Sequence, residues 1–179
     1  DGENWAYDFE KDLPAGIQCV FNLKPGLKTL SGKDIQGQRT FTFSTGGPAI
    51  KSSYPYKGST NVDEEQIFIL TLDTEPTEES LLQNVSFSIE GIYERVGISI
   101  LSGEEREQIL KTRYPKTTNL AFVVIQSKQR FPANANVSLI WGKGVMSRSS
   151  VATEKDQILQ FKIRRPFTAE FHCQRENPQ

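Results

Sequence analysis

The sequence of 179 residues contains only two cysteines and one histidine. It has no Cys-x-x-Cys pair and no cluster of cysteine and histidine, so the ligand spacing of a structural zinc site is missing. The Gly-x-Ser-x-Gly pattern of serine hydrolases is absent as well. The sequence therefore predicts no catalytic residue, no cofactor site and no metal site, and we expect a protein that is not an enzyme.

The chain also lacks a strong charge and a long apolar run. Its formal net charge is −1, with 36 % hydrophobic and 24 % charged residues, as in ordinary globular proteins. The positive spots Lys128-Gln129-Arg130 and Arg164-Arg165 carry no interleaved aromatic residues, so we expect no nucleic acid as a partner. No stretch approaches the roughly 20 apolar residues that cross a bilayer. Because the chain begins at Asp1 without a methionine or a signal peptide, we expect it to be part of a longer protein.

What the chain does contain is an internal repeat. Leu13-Pro14-Ala15 and the alternating residues after it reappear at Phe131-Pro132-Ala133, and the difference between 132 and 14 sets an offset of 118 residues. Without a gap, the same offset pairs Gly26 with Gly144, Ser31 with Ser149, Leu23 with Trp141, Phe43 with Phe161 and Pro48 with Pro166. Self-similarity at a fixed offset indicates tandem units of one fold.

Both copies alternate apolar and polar residues with a period of two, which predicts half-buried strands. In the first copy the alternating runs include Trp5 to Phe9, Ile17 to Leu23 and Phe41 to Phe43; in the second they are Phe122 to Ile125, Val137 to Trp141 and Ile158 to Ile163. The segments Lys24-Pro25-Gly26 and Ser31-Gly32-Lys33-Asp34 have the composition of turns between such strands.

Ahead of the second copy lies material that has no counterpart in the first. Gln66 to Leu72 is an almost continuous apolar run and predicts a central strand, while Val85 to Ile89 and Val96 to Ile100 alternate as further strands. Thr77 can cap a short turn at Glu78-Glu79.

A capping-box pattern at Ser102-Gly103-Glu104-Glu105 predicts one short helix, which continues through about Lys111 and is ended by Pro115. Strands separated by turns, with only this brief helix, predict an all-β fold of tandem Ig-like β-sandwich domains.

The repeat predicts three parts of the chain. Residues 1–48 are expected to form the C-terminal half of an Ig-like domain, residues 49–166 one complete β-sandwich, and residues 167–179 the first strand of a following domain. Very short linkers at Gly46-Gly47-Pro48 and Arg164-Arg165-Pro166 would join these parts.

Three groups of side chains are candidate binding sites, and each has a simpler alternative. His172 is either a ligand or an exposed imidazole without a role. The acidic stretches Asp63-Glu64-Glu65 and Asp73-Thr74-Glu75 either bind calcium or are solvated. Tyr54-Pro55-Tyr56 either offers rings to a sugar or partner, or packs at the junction with the preceding unit.

The run LPAGIQCVFNLKPGLKTLSGKDIQGQRTFTFSTGGP resembles the bacterial Ig-like modules of S-layer and other surface proteins. Taken in order, DGENWAYDFEKDLPAGIQC, VDEEQIFIL, LIWGKGV, SSVATEKDQIL and RRPFTAEFHCQREN resemble the N-terminal part of bacterial alpha-2-macroglobulin-like proteins. Those are large cell-envelope peptidase inhibitors built mainly from tandem β-sandwich domains. The second resemblance extends over nearly the whole chain and rests on the order of segments, because no single motif in it is chemically specific.

The resemblance to these inhibitors implies a structural scaffold in the periplasm or cell envelope, with peptidases bound by other regions of the full-length protein. Neither cysteine fits the Cys-x-Glu-Gln thioester of that family, because Cys19 precedes Val20-Phe21 and Cys173 precedes Gln174-Arg175. The resemblance implies instead that Cys19 and Cys173 form disulfides with partners outside this chain. The residues alone leave open a mutual disulfide or two small buried hydrophobic side chains.

The alternative function is that of an Ig-like repeat in a bacterial surface adhesin or S-layer protein, which binds a ligand directly. In either case the neighbouring domains of the same chain are expected partners. The half-domain of residues 1–48 is also predicted to expose a sheet edge, to which residues 167–179 of a second molecule can add. This would give a strand-exchanged homodimer.

Overall fold

The computed structural model describes residues 8–114 and 120–173, and this part of the chain is mostly β-strand. The elements are β1 (Gln18–Asn22), β2 (Thr40–Ser44), β3 (Ile50–Tyr54), β4 (Ile67–Leu72), α1 (Glu78–Asn84), β5 (Val85–Ile89), β6 (Val96–Ile100), α2 (Gly103–Arg113), β7 (Ala121–Ser127), β8 (Asn136–Trp141) and β9 (Gln157–Lys162). The prediction of an all-β protein is confirmed. Trp5, Tyr7 and Pro115 lie outside the described residues, and Phe9 belongs to no strand.

The strands form two hydrogen-bonded sets. β1 and β2 are an antiparallel hairpin of their own, whereas the other strands are joined in the order β3-β4-β7-β6-β5-β8-β9, also antiparallel. The apolar run at Gln66 to Leu72 is an interior strand, since β4 lies between β3 and β7. The chain passes from the β1-β2 hairpin to the larger set of strands between Ser44 and Ile50.

The seven strands make a sandwich because β6 is shared between two layers. Its first residues pair with β5, as Val96 does with Phe87, and its last residues pair with β7, as Ile98 does with Ser127. One layer is therefore β3-β4-β7 with the end of β6, and the other is β9-β8-β5 with its beginning. This arrangement is that of an Ig-like β-sandwich.

The core lies between the two layers and is rich in aromatic rings. Phe68 is fully buried, with ring centroids 5.1 Å from Phe87 and 5.0 Å from Phe161. Phe131 lies 5.1 Å from Phe87, and Trp141 is fully buried in the same cluster. The alternation of each strand explains this arrangement, because every second side chain points into the space between the layers.

A short segment closes the open side of the sandwich. After β3, residues 58–62 run beside β9, and Val62 and Ile163 form a parallel bridge. The Gly58 amide donates to the Gln160 carbonyl at 2.8 Å, and the Lys162 amide donates to the Ser59 carbonyl at 2.8 Å. The first part of the unit therefore contacts both layers, with β3 in one and this segment on the edge of the other.

Helix α2 covers the outer face of one layer. Ile69, Leu101 and Val124 form a second buried cluster, against which Ile109 and Leu110 of α2 pack. The helix follows Ser102 as predicted, but no side-chain hydrogen bond caps it there, so the capping-box contact is not formed. Neither of the helices in the described part of the chain is long and apolar enough to span a membrane.

The chain contains a second helix where the sequence analysis expects only a turn. Thr77 precedes α1, which has seven residues and ends where β5 begins. The Ser80 hydroxyl bonds back to the Thr77 carbonyl at 2.9 Å, and Leu81 is buried in the main core. A helix of two turns is too short to show a periodic apolar pattern, which explains why the pattern did not predict it.

The repeat predicted from the sequence has the same register in both copies. Gln18 pairs with Ser44 in the β1-β2 hairpin, and Asn136 pairs with Lys162 in the β8-β9 hairpin, so both partners shift by 118 residues. The isolated bridge between Lys28 and Asp34 likewise matches the bridge between Met146 and Ala152.

Left-handed backbone positions repeat at the same offset. Gly16 and Asn134 have φ of 75° and 62°, and Gly32 and Ser150 have φ of 79° and 61°. The two copies therefore share these left-handed positions, although a glycine of the first copy is twice replaced by a side chain in the second. They differ at Gly37, whose φ is 105°, because its equivalent Lys155 is not left-handed. The repeat is a property of the backbone as well as of the sequence.

Candidate functional site

The histidine and the acidic stretches are distributed over the surface. His172 is exposed, and its Nε2 lies 3.6 Å from a carboxylate oxygen of Glu170. Among the described residues, no three histidine, cysteine, aspartate or glutamate side chains come together as a metal site would require. Asp63 faces Arg164 at 3.1 Å, and Glu75 faces Arg148 at 2.7 Å. These acids therefore meet cations of the protein itself.

A third ion pair is formed by Glu64, which follows Asp63 in the sequence. The guanidinium of Arg130 donates to the carboxylate of Glu64, and this hydrogen bond raises the pKa of Arg130 above its ordinary value. Glu64 is mostly covered while Arg130 is exposed. An ion pair in that position is a surface feature with a small effect on stability.

The tyrosines lie at the end of β3 that is opposite the linker. Tyr54 is at the opposite end of β3 from Ile50, and the guanidinium of Arg113 stacks on its ring at 3.9 Å. Tyr56 meets Tyr54 edge to face, with ring centroids 6.3 Å apart, and is 67 % exposed. The interpretation of packing at the junction is therefore wrong, because Tyr54 packs instead on Arg113 of α2, and Tyr56 follows β3 and lies beside Tyr54.

The two cysteines are free thiols in this chain. Cys19 is half-buried and Cys173 is exposed. The offset of 118 residues aligns Cys19 with Val137, which is buried in the complete unit, so Cys19 occupies an inward position of its strand. Disulfides with partners outside the chain stay a prediction.

The linker at Pro48 is the site where distant parts of the chain converge. The buried Trp141 donates its indole N–H to the carbonyl oxygen of Pro48 at 2.8 Å. This tryptophan ends β8, so its ring is in the core while its polar edge reaches the linker. A buried indole N–H needs an acceptor, and the linker backbone supplies it.

Two more side chains hold the linker residues that follow. A carboxylate oxygen of Asp73 accepts from the Ala49 amide at 2.8 Å. The Gln157 side chain accepts from the Ile50 amide at 2.8 Å and donates to the Ile50 carbonyl at 3.3 Å. Asp73 follows β4 and Gln157 begins β9, so both layers of the sandwich fix the start of β3.

The hairpin itself contacts the complete unit at Gly16. The Ser147 hydroxyl, which is buried, donates to the Gly16 carbonyl at 2.8 Å. A side chain at Gly16 would have no room, because its Cβ would lie 2.8 Å from Cγ2 of Thr74 and 2.9 Å from Cβ of Ser147. The close approach therefore requires glycine.

Gly47 is enclosed even more tightly. A Cβ at this position would overlap the backbone nitrogen of Thr153 and the carbonyl carbon of Ala152. The sequence analysis identifies Gly46-Gly47-Pro48 only as a short linker. Its other participants carry no recognisable motif, since a lone Trp, Asp, Gln or Ser at the end of a strand is common.

We call this set the closed junction: Gly16, Gly47, Pro48, Asp73, Trp141, Ser147 and Gln157. It contains no charged pocket and no convergent nucleophile or base, but it joins the β1-β2 hairpin to the sandwich through side-chain hydrogen bonds and backbone contact. Chemically it can position one unit against the next.

No protein-family model and no curated protein matches this chain. Among solved structures, the chain is similar to the S-layer protein rSbsC(31-844), with a TM-score of 0.42 and 11 % identity over 70 % of this chain and 15 % of that one. The N-terminal part of the bacterial S-layer protein SbsC gives a TM-score of 0.42 and 12 % identity over 69 % of this chain and 25 % of that one. At these values the likeness carries no argument about function.

Proposed function

We propose that the chain is a non-catalytic, stiff module of a tandem β-sandwich array in the bacterial cell envelope, of the S-layer or adhesin kind. The observation that carries the proposal is the closed junction. A spacer keeps distant parts of a protein at fixed separation only if successive units cannot rotate freely, and short linkers alone do not ensure this. The Trp141 indole donates to the Pro48 carbonyl of the linker, and Asp73 and Gln157 accept from the amides that follow it. On the other side of the linker, the Ser147 hydroxyl donates to the Gly16 carbonyl.

The bacterial surface setting rests on the resemblance of Leu13 to Pro48 to Ig-like modules of surface proteins. The described residues support a spacer function because their acids, histidine and tyrosines do not converge on a common site. A module of this kind needs a stable core and defined ends, and both are present here: an aromatic core and a bonded linker.

The stiffness can be tested by measuring how the two parts tumble. Residual dipolar couplings from the β1-β2 hairpin and from β3 to β9 are expected to fit one alignment tensor. A control variant with four Gly-Ser residues inserted between Gly46 and Gly47 should require two tensors, because the insertion separates the hairpin from Pro48, which stays bonded to Trp141. Two independent tensors for the wild-type chain would overturn the proposal.

A scaffold of an alpha-2-macroglobulin-like inhibitor is the competing proposal, and it differs in its ligands. The sequence of the full-length protein separates the two proposals: a Cys-x-Glu-Gln thioester site would favour the inhibitor scaffold, whereas further repeats at about the same offset would favour the surface array. Binding of a glycan through the exposed Tyr56 would specify the adhesin kind, and a Tyr56→Ala variant is its control. Trapping of a peptidase by this chain alone would contradict both proposals, because the inhibitor family binds peptidases through other regions.

A further inference from the structure

The two ends of the complete unit differ at the positions that make the closed junction. With the offset of 118 residues, Asn134 stands at the place of Gly16, and Arg165 stands at the place of Gly47. One hydrogen bond is shared, since the Gly16 amide donates to the Gly46 carbonyl at 3.0 Å and the Asn134 amide donates to the Arg164 carbonyl at 2.9 Å. The backbone of the linker differs, because Gly46 has a left-handed φ of 85° and Arg164 does not. The two ends therefore differ in backbone conformation as well as in side-chain space.

The obstruction at the position of Gly47 is backbone. Because the overlapping atoms belong to the main chain of Ala152 and Thr153, any L-residue at position 47 would meet them, whatever its side chain. A following unit of the same fold would bring its own main chain to Arg165 in the same way. The guanidinium side chain of Arg165 adds several more atoms than the single Cβ that already has no room.

At the position of Gly16 the obstruction comes from side chains instead of backbone, and it too excludes the closed arrangement. Asn134 keeps the left-handed backbone, with φ of 62° against 75° for Gly16, so its Cβ points where a Cβ of Gly16 would point. Side chains like those of Thr74 and Ser147 could not approach it. This end of the unit also carries the ion pairs Asp63 to Arg164 and Glu64 to Arg130, and Gly46 stands at the place of Arg164 in the first junction.

We infer that the surface around Asn134, Arg164 and Arg165 receives the following β-sandwich in an open arrangement that differs from the closed junction at Pro48. The inference rests on the proposed function, because it takes the chain to be part of a tandem array. Such an array has the closed arrangement at Pro48 and the open arrangement at Pro166. The partner is another unit of this fold. Polar and charged contacts hold it at a distance that leaves space for the side chains of Asn134 and Arg165.

The test places the residues of the second end into the first. In the full 179-residue chain, Gly16→Asn and Gly47→Arg are introduced together, and hydrogen exchange is followed at the Trp141 indole and the Ala49 amide. We expect exchange at both groups to become at least roughly tenfold faster, because local opening determines their protection. Amides of the interior strands β4 and β7 should exchange at the wild-type rate.

A matched control distinguishes steric overlap at positions 16 and 47 from backbone strain in the linker. Gly46 has a left-handed φ of 85° and open space around its Cβ position, so Gly46→Asn should leave the Trp141 and Ala49 exchange rates unchanged. If this variant accelerates exchange as much as the double variant does, the loss reflects strain and the inference is overturned. Should the double variant also loosen β4 and β7, Gly47→Ala adds the Cβ alone and is measured by the same criterion.

Wild-type protection of Trp141 and Ala49 in the double variant would overturn the inference, because Asn and Arg would then fit the closed junction. Absence of protection at these groups in the unsubstituted chain would instead overturn the proposed function, and the inference with it. Failure of the inference would therefore be seen in the double variant, and failure of the proposed function in the unsubstituted chain.

Discussion

Phe43 and Phe161 occupy the same place in two copies of one hairpin, yet Phe43 is 38 % exposed and Phe161 only 3 %. Their strands pair in one register, and their loops share left-handed positions and bridges. The difference is the opposing layer: Phe161 packs against Phe68 from β4, whereas the rings that Phe43 meets within the described part of the chain are those of Phe9 and Phe21.

Strand pairing and the burial of side chains are thus separate contributions to the stability of the fold. The β1-β2 hairpin has its hydrogen bonds but presents an apolar face, on which Phe9 is 50 % and Phe41 is 47 % exposed. In the complete unit the equivalent face is covered, because Phe161 packs against Phe68 of the opposing layer. Variants at equivalent positions of the two copies can therefore separate the two contributions.

The largest difference is expected between Phe161→Ala and Phe43→Ala. Truncation of a fully buried phenylalanine costs about 3–5 kcal/mol through lost burial and a cavity. Phe43→Ala should cost about 1 kcal/mol or less, because water already reaches the ring. Urea unfolding followed by circular dichroism measures both. Equal losses, independent of protein concentration, would mean that the hairpin face is as well covered as the core.

A smaller effect is expected from Trp141→Phe. The variant keeps an aromatic ring in the core but leaves the Pro48 carbonyl without its donor, which should cost about 1–2 kcal/mol. Leu23 has the equivalent position in the hairpin and no donor, so Leu23→Phe should change stability little. Unfolding free energies provide the comparison, and an unchanged value for Trp141→Phe would show that the indole bond contributes nothing to the junction.

The two copies also predict a stabilising change. Ser150 has a left-handed φ of 61°, where the first copy has Gly32 with φ of 79°. Ser150→Gly should therefore raise the unfolding free energy by about 0.5–1 kcal/mol, since a non-glycine residue is strained there. Ser149→Gly is the control and should lower stability by a similar amount or less. Thermal denaturation would contradict the comparison if both variants shifted Tm in the same direction.

The smallest effect is expected at Cys19, whose equivalent is Val137. Cys19→Val should alter stability by less than about 0.5 kcal/mol, because the position is only half-buried in this chain. Titration of the native chain with a thiol reagent should find both cysteines reactive, with Cys173 faster because it is exposed. A chain without titratable thiols would instead indicate that Cys19 and Cys173 pair with each other.

The repeat made much of this fold predictable. An offset found at Pro14 and Pro132 correctly aligned the strands of both hairpins, because inward positions must alternate and turns must keep their length. The helix at Glu78 was expected only as a turn, since it is too short for a periodic pattern. The helix α2 was predicted from its first residues, although the capping bonds that suggested it are not formed.

The junction could not be predicted, for a physical reason. Trp141 and Pro48 lie 93 residues apart, and no local pattern records that one donates to the other. The division of β6 between two layers is likewise a result of packing rather than of alternation, which is the same on both of its halves. The requirement for glycine at positions 16 and 47 follows only from tertiary contacts. Gly16 lies against Thr74 and Ser147, and Gly47 lies against the main chain of Ala152 and Thr153.

The parallel contact between residues 58–62 and β9 has a mechanical consequence. In a tandem array, tension enters a unit at its first residues and leaves after β9, so it pulls these two neighbouring segments past each other along their length. The hydrogen bonds of Gly58, Val62, Lys162 and Arg164 are then loaded together in shear instead of opening one at a time. A unit built in this way resists extension at the contact between residues 58–62 and β9. Under tension, an array of such units would unfold one whole unit at a time.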